Sequence, residues 1–239
     1  MVRQHRGTLS DLKRLNMELE EKSATDILRW ALGMFGEKIA LSSSFQTQSM
    51  PLLHIVSQHV PEVPVLFLDT GFHFPETLAF RDQLIEQWGL NVINLHYAEG
   101  HGAFQRKYGA LYKRDPDMCC YLNKVEPMRE ALKEYDAWVS GIRRDQTENR
   151  ANTPVVEQRS DGVYKICPMV RWTRREIMKY INDHDLPVHP LLSQGYMSVG
   201  CAPCTRPTFA DDRSGRWAGS GKTECGIHTE KSRGPKDNE

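Results

Sequence analysis

Apolar residues recur at three- and four-residue steps at Leu12, Leu15 and Leu19 and again, after Ser23, at Ile27, Leu28, Ala31, Leu32 and Phe35. That spacing predicts one or two amphipathic helices at the start of the chain. From Gly36 onward, short apolar runs alternate with helical periods. The runs are Lys38–Leu41, Val63–Leu68, Asn91–Leu95 and Ala137–Ile142; helices are expected at Thr47–Gln58, Pro75–Trp88, Gly102–Tyr108 and Cys119–Tyr135. Pro75 suits a first helical turn, where its missing N–H would have no intrahelical partner anyway. Strands that alternate with helices pair in parallel through crossovers, so the expected fold is α/β, an open parallel sheet with helices on both faces. Val155–Glu157 and Gly162–Cys167, around Ser160-Asp161-Gly162, read as a hairpin. Thr173–His184 reads as a helix with Thr173 as N-cap and Glu176 completing a capping box.

After Pro187 the periodicity dissolves into Gly, Pro, Ser and charge. The expected organisation is a domain over residues 1–193 and a C-terminal tail over 194–239, with Glu230–Glu239 disordered. In open α/β sheets ligands sit outside the carboxyl ends of the strands. The residues there are Ser42-Ser43-Ser44, Asp69-Thr70-Gly71 and Arg143-Arg144-Asp145-Gln146. The serine loop offers hydroxyls and N–H groups at a helix entry, which suits a phosphate or sulfate; Asp69 equally fits a capping residue in a plain strand-to-helix turn.

Charge and composition narrow the function. Lys plus Arg and Asp plus Glu each number 31, so no overall field attracts a polyanion or an acidic membrane, and no basic stripe with interleaved aromatics points to nucleic acid. No run approaches the roughly 18 apolar residues of a membrane span. The N-terminus shows no secretory pattern, so the reducing cytoplasm is the expected compartment, and there the six cysteines read as metal ligands or reactive thiols before disulfides. Adjacent Cys119 and Cys120 fit a single tetrahedral ion poorly. In a [4Fe–4S] cluster each thiolate binds its own iron, so neighbours can serve neighbouring corners. Cys119, Cys120, Cys201 and Cys204 therefore read as a [4Fe–4S] site; the rival from another class is a zinc or iron–sulfur binding module, and colour tells a cluster from zinc. Cys167 reads as a core hydrophobe. Cys225 is left over among glycines and charges, with Lys222 and His228 favouring its thiolate and Glu224 opposing it.

Taken in order, Cys119-Cys120 with Lys124, Gly141-Ile-Arg143-Arg144-Asp-Gln, Cys201-x-x-Cys204, Arg213-Ser-Gly-Arg216-Trp217 and Glu224-Cys225-Gly-Ile-His228 resemble the assimilatory adenylyl-sulfate reductases, the iron–sulfur type of phosphoadenylyl-sulfate reductase. The resemblance runs from about Leu41 to Thr229. It implies an adenine nucleotide α-hydrolase-like sheet and the thiol-dependent conversion of adenosine 5′-phosphosulfate to sulfite and AMP for cysteine synthesis. By the same resemblance Cys225 is the nucleophile and forms an S-sulfocysteine, from which thioredoxin or a similar dithiol releases sulfite. Lys124, Arg213, Arg216 and His228 are implied to contact the phosphosulfate, and Arg143–Arg144 and Asp69 to serve the nucleotide. Ser42-Ser43-Ser44 departs from the glycine-rich, aspartate-bearing loop of ATP pyrophosphatases, which sets ATP cleavage aside. The nearest alternative is a reductase for the 3′-phosphorylated substrate, or a dual-substrate enzyme. Glycines at 215, 219, 221 and 226 would let the tail open and close. A homo-oligomer stays open, because the stripes of the opening helices would serve a subunit interface or pack on their own sheet.

Overall fold

The computed structural model describes residues 11–209, 213–217, 220, 222 and 224–228. The hinge glycines at 219 and 221 and the segment 230–239 lie outside them.

Two amphipathic helices come first, α1 (Leu12–Glu20) and α2 (Ala24–Phe35), each started by a side chain that accepts an N–H of the first turn: Asp11 from Arg14 and Ser23 from Asp26. Then β1 (Ile39–Ser42), α3 (Met50–His59), β2 (Val65–Leu68), α4 (Pro75–Trp88) and β3 (Val92–Leu95) alternate as the pattern predicts. The next crossover is broken into α5 (Gly100–Tyr108), α6 (Leu111–Arg114), α7 (Pro116–Cys120) and α8 (Glu126–Ala131) before β4 (Ala137–Ser140). β5 (Val156–Gln158) and β6 (Tyr164–Ile166) form the predicted hairpin, and α9 (Arg174–Asp183) carries the Thr173–Glu176 capping box.

The sheet order is β3-β2-β1-β4-β6-β5, parallel except for edge strand β5. Alternation along the strands sends Ile39, Leu41, Val65, Phe67, Ala137 and Val139 into the main core beneath α1–α4 and α9, and Ala40, Leu66 and Trp138 into a smaller core with Met128 and Leu132 of the α8 region. The apolar stripes of α1 and α2 thus pack on their own sheet, and Cys167 is fully buried in the same core. No helix among the described residues is long and apolar enough to cross a membrane.

The single continuous helix expected over Cys119–Tyr135 is interrupted. Tyr121–Val125 forms a π turn, with the Glu126 N–H donating to the Tyr121 carbonyl. Pro127 supplies no N–H and its ring crowds the carbonyl one turn back, which accounts for the widened ladder. Past residue 193 the chain runs across the carboxyl edge of the sheet, bridging Cys201 to His73 and Thr205 to Arg216.

Candidate active site

β1 is flanked by β2 on one side and β4 on the other, so the chain reverses its winding direction between β1 and β4. A crevice outside the carboxyl ends of the strands at such a reversal is the expected ligand site. A cleft of about 1120 Å³, part of it open to solvent, lies there. Its floor is Leu41–Ser44 at the end of β1, Leu66–Leu68 of β2 and Ser140–Ile142 at the end of β4; the C-terminal segment closes it with Arg213, Arg216, Cys225 and His228, and Lys124 enters from the π turn.

Ser42, Ser43 and Ser44 all line the cleft. Ser42 Oγ accepts the Trp138 indole N–H at 2.8 Å and Ser43 Oγ accepts the Phe45 N–H at 3.1 Å, which shapes the loop. Phe45 sits at φ 53°, a left-handed conformation costly for a bulky residue, and is held there by full burial against Phe67. The loop leads through a 3-10 turn (Thr47–Ser49) into α3, where the Met50 N–H donates to the Thr47 carbonyl and Pro51 has none, so on this side the serines and Gln48 supply the polar lining of the cleft.

Four cations converge. Lys124 is buried; burial alone would lower its ammonium, but the thiols Cys201, Cys120 and Cys225 outweigh that and raise it. Arg216 is buried with its guanidinium 4.4 Å from the Trp217 ring and donates to the Val199 carbonyl at 3.0 Å. Burial, together with Arg216 and Arg150, lowers Arg213 to about 10, leaving it charged at neutral pH. The Nε groups of Arg213, Arg216 and Arg150 are buried without a partner among the described residues. Buried donors in that condition are suited to an anion's oxygens. His228 stacks on Trp138 with ring centroids 5.3 Å apart, and burial followed by Arg150, Lys165 and Arg213 holds it well below its usual range, hence neutral.

Three other expected residues do not line the cleft. Asp69 Oδ1 accepts the Gly71 N–H at 3.1 Å, fixing the turn after β2. Arg143 is buried against Asp145, Gln48 and the Trp172 carbonyl and faces an adjoining pocket that it shares with Arg213. Arg144 pairs with Glu20 of α1 and the Thr153 carbonyl, away from the cleft. The structure adds Arg150, Gln46, Gln48 and Gln146 to the lining. Arg150 and Gln146 belong to the loop after β4, where the strand-end rule already directs attention.

Beside the cleft, Cys119, Cys120, Cys201 and Cys204 line a second, smaller cavity, with Lys124, Arg216 and Trp217 on the wall it shares with the first. No three His, Cys, Asp or Glu side chains among the described residues converge tightly enough for one ion. Thiols spread over cavity walls suit a group that offers each its own metal atom. Burial pushes Cys119 up to about 12 and Cys204 up to about 11, their neighbouring thiols adding to the rise. Burial acts the same way on Cys201, but Lys124, the Thr70 hydroxyl at 3.3 Å and Arg216 outweigh it and lower this thiol.

An open, mostly parallel α/β sheet with a thiol- and cation-lined cleft at its reversal point places the chain, by fold, in the adenine nucleotide α-hydrolase-like class. The same fold recurs in Candida glabrata FMN adenylyltransferase in complex with FAD and pyrophosphate, with a TM-score of 0.60 at 14% identity over 81% of this chain and 66% of that one. Within that class the chain belongs to the phosphoadenosine phosphosulfate reductase domain family, whose model matches residues 38–207. It is 45% identical over 235 residues to the adenosine 5′-phosphosulfate reductase of Streptomyces coelicolor, covering 94% of this chain and 98% of the relative. It is 41% identical over 219 residues to adenosine 5′-phosphosulfate reductase 1 of Bacillus subtilis, covering 87% and 91%. The phosphoadenylyl-sulfate reductase of Candida auris superposes with a TM-score of 0.75 at 28% identity, covering 83% of this chain and 98% of that one.

Proposed function

We propose that the protein reduces adenosine 5′-phosphosulfate to sulfite and AMP, with Cys225 as the nucleophile. The observation that carries this reading is one cleft, at the reversal point of the sheet, that brings a thiol together with Lys124, Arg213, Arg216 and a neutral His228. The Cys225 thiolate attacks the sulfate sulfur, an S–S bond forms, the sulfur–oxygen bond breaks, and AMP leaves with the electron pair. A thiolate of an external dithiol, thioredoxin or a similar protein, then attacks Cys225 Sγ and releases sulfite with its pair. The second thiol of that partner resolves the mixed disulfide, leaving Cys225 reduced and the partner oxidised. The buried cations stabilise charge gathering on the phosphate and sulfonyl oxygens, where fixed donors in a water-poor site act most strongly. Such a dithiol partner fits the reducing cytoplasm.

Cys119, Cys120, Cys201 and Cys204 would hold a [4Fe–4S] cluster, supported by the one cavity that all four line. When bound, it supplies the electrostatic environment that sets Lys124 at the cleft wall. Lys124 itself spans both cavities, so it binds and orients the anion from the cluster side.

Sulfite release by anaerobically purified, brown protein with thioredoxin and its reducing system tests the reading. Turnover with adenosine 5′-phosphosulfate is expected, at a higher kcat/KM than with the 3′-phosphorylated nucleotide. A brown, cluster-loaded protein that gives no sulfite from either would overturn it.

A further inference from the structure

The residue before Cys225 is held by a contact that the chemistry above does not use. Glu224 Oε2 accepts from Arg150 Nη2 at 2.6 Å, and Glu224 Oε1 accepts from the Thr147 hydroxyl at 3.1 Å. Both side chains of the ion pair are only 8% exposed. A pair this far from water loses hydration that only close geometry repays, unlike surface pairs that form and break at little cost.

Its anchor is rigid. Arg150 Nη1 donates to Gln146 Oε1, which also accepts the Arg143 N–H at 3.1 Å. Arg143 in turn is fixed by Asp145, Gln48 and the Trp172 carbonyl. An unbroken chain of hydrogen bonds therefore joins the loop after β4 to the segment that carries the thiol.

We propose that the Glu224–Arg150 pair is a positioning latch that seats Cys225 for attack on the sulfur and takes no part in the later release of sulfite. The inference rests on the reductase reading above. A nucleophile must sit within a near-attack distance, and an error of about 1 Å costs up to about a hundredfold in rate. Cys225 lines a recessed cleft together with Lys124, Arg213 and Arg216, a concave site of the kind that takes a small molecule and not a folded protein. The S-sulfocysteine must therefore leave the seat to meet a protein dithiol, and the latch is open for that half of the cycle.

The test separates the half-reactions in the cluster-loaded, full-length protein. S-sulfocysteine formation is followed by intact mass after rapid mixing with adenosine 5′-phosphosulfate in the absence of reductant; sulfite release is then started by adding reduced thioredoxin. Glu224→Gln is expected to slow the first step about ten- to a hundredfold at saturating nucleotide and not to slow the second step. Glu224→Asp should recover part of the first rate. Thr147→Val, which removes the second contact from outside the cleft, should slow the first step less and guards against a misfolded Gln variant. Equal first-step rates in wild type, Glu224→Gln and Thr147→Val overturn the latch, as does equal slowing of both steps. A wild type that forms no S-sulfocysteine overturns the reductase reading itself, and the latch with it.

Discussion

At the scale of residues, the site is a set of cations held in place by small, specific fits. Gly200 is the clearest. A Cβ built there would lie 2.2 Å from Arg216 Nη2 and 2.3 Å from Arg216 Cζ, so the guanidinium occupies space that only glycine leaves open. Gly200→Ala must push Arg216 off the wall shared by the cleft and the cysteine cavity. We expect kcat/KM for sulfite formation to fall at least about tenfold, a transition-state loss of roughly 1.4 kcal/mol, while circular dichroism stays native. Unchanged kcat/KM would show that Arg216 is not needed where the structure puts it. The residue types of the site were legible in the sequence, because thiols, basic residues and serines at strand ends have few other reasons to cluster. What the sequence hid is how each charge is spent. The resemblance implies a nucleotide role for Arg143 and Arg144, and in the structure one is held by Asp145 and Gln48 and the other by Glu20, a partner about 120 residues away in the chain. Pairing at such separation leaves no local signature.

At the scale of elements, periodicity specified the frame well. Pro75–Trp88 forms over the predicted span, and the β5–β6 hairpin turns at Ser160-Asp161-Gly162 with Gly162 at φ 83°. The π turn at Tyr121–Val125 was not legible, since a widened turn differs from a helix by one residue of hydrogen-bond register rather than by hydrophobic pattern. His189 was equally silent, a lone histidine in a loop. In the structure it joins three elements: Nδ1 accepts the Leu191 N–H at 3.2 Å, Nε2 donates to Thr77 Oγ1 of α4 at 3.0 Å, and its own N–H donates to Thr47 Oγ1 ahead of α3. Both ring nitrogens are used only by the neutral ring, and burial lowers its pKa to about 4. Below pH about 6.5 the unfolded chain takes up a proton at this position that the folded chain refuses, so stability is full above that pH and falls toward pH 4. The slope is about 1.4 kcal/mol per pH unit for one such group. Urea unfolding of wild type and His189→Gln across this range should give curves that converge on acidification, the wild type losing up to about 3 kcal/mol more. Parallel curves would contradict a neutral, buried His189.

At the scale of the whole molecule, a chain with no net charge brings four of its cations, Lys124, Arg150, Arg213 and Arg216, to one point of one sheet. The parallel sheet fixes that point by its winding, and the segment beyond residue 193 completes it from outside the strand framework. The sequence showed that this segment lacks periodicity and carries cysteines; it did not show that Cys201, Thr205, Arg216 and Trp217 are buried. Their burial comes from non-periodic contacts: Cys201 meets Thr70 and His73 of the turn after β2, and Thr205, Arg216 and Trp217 bond within the segment to Cys201, Val199 and Cys204. Such an arrangement suits a reaction in two halves, since the thiol can be seated against the sheet for one and freed for the other.

The central claim is that Cys225 itself takes the sulfonyl group. The direct measurement is intact and peptide mass of the cluster-loaded protein after incubation with adenosine 5′-phosphosulfate without reductant, in wild type and Cys225→Ser. The expected result is a gain of one SO3 group on the peptide holding Cys225 in the wild type, with AMP released in equal amount, and neither in the variant. AMP and sulfite formed with no adduct on Cys225, or an adduct that persists in Cys225→Ser, would contradict it.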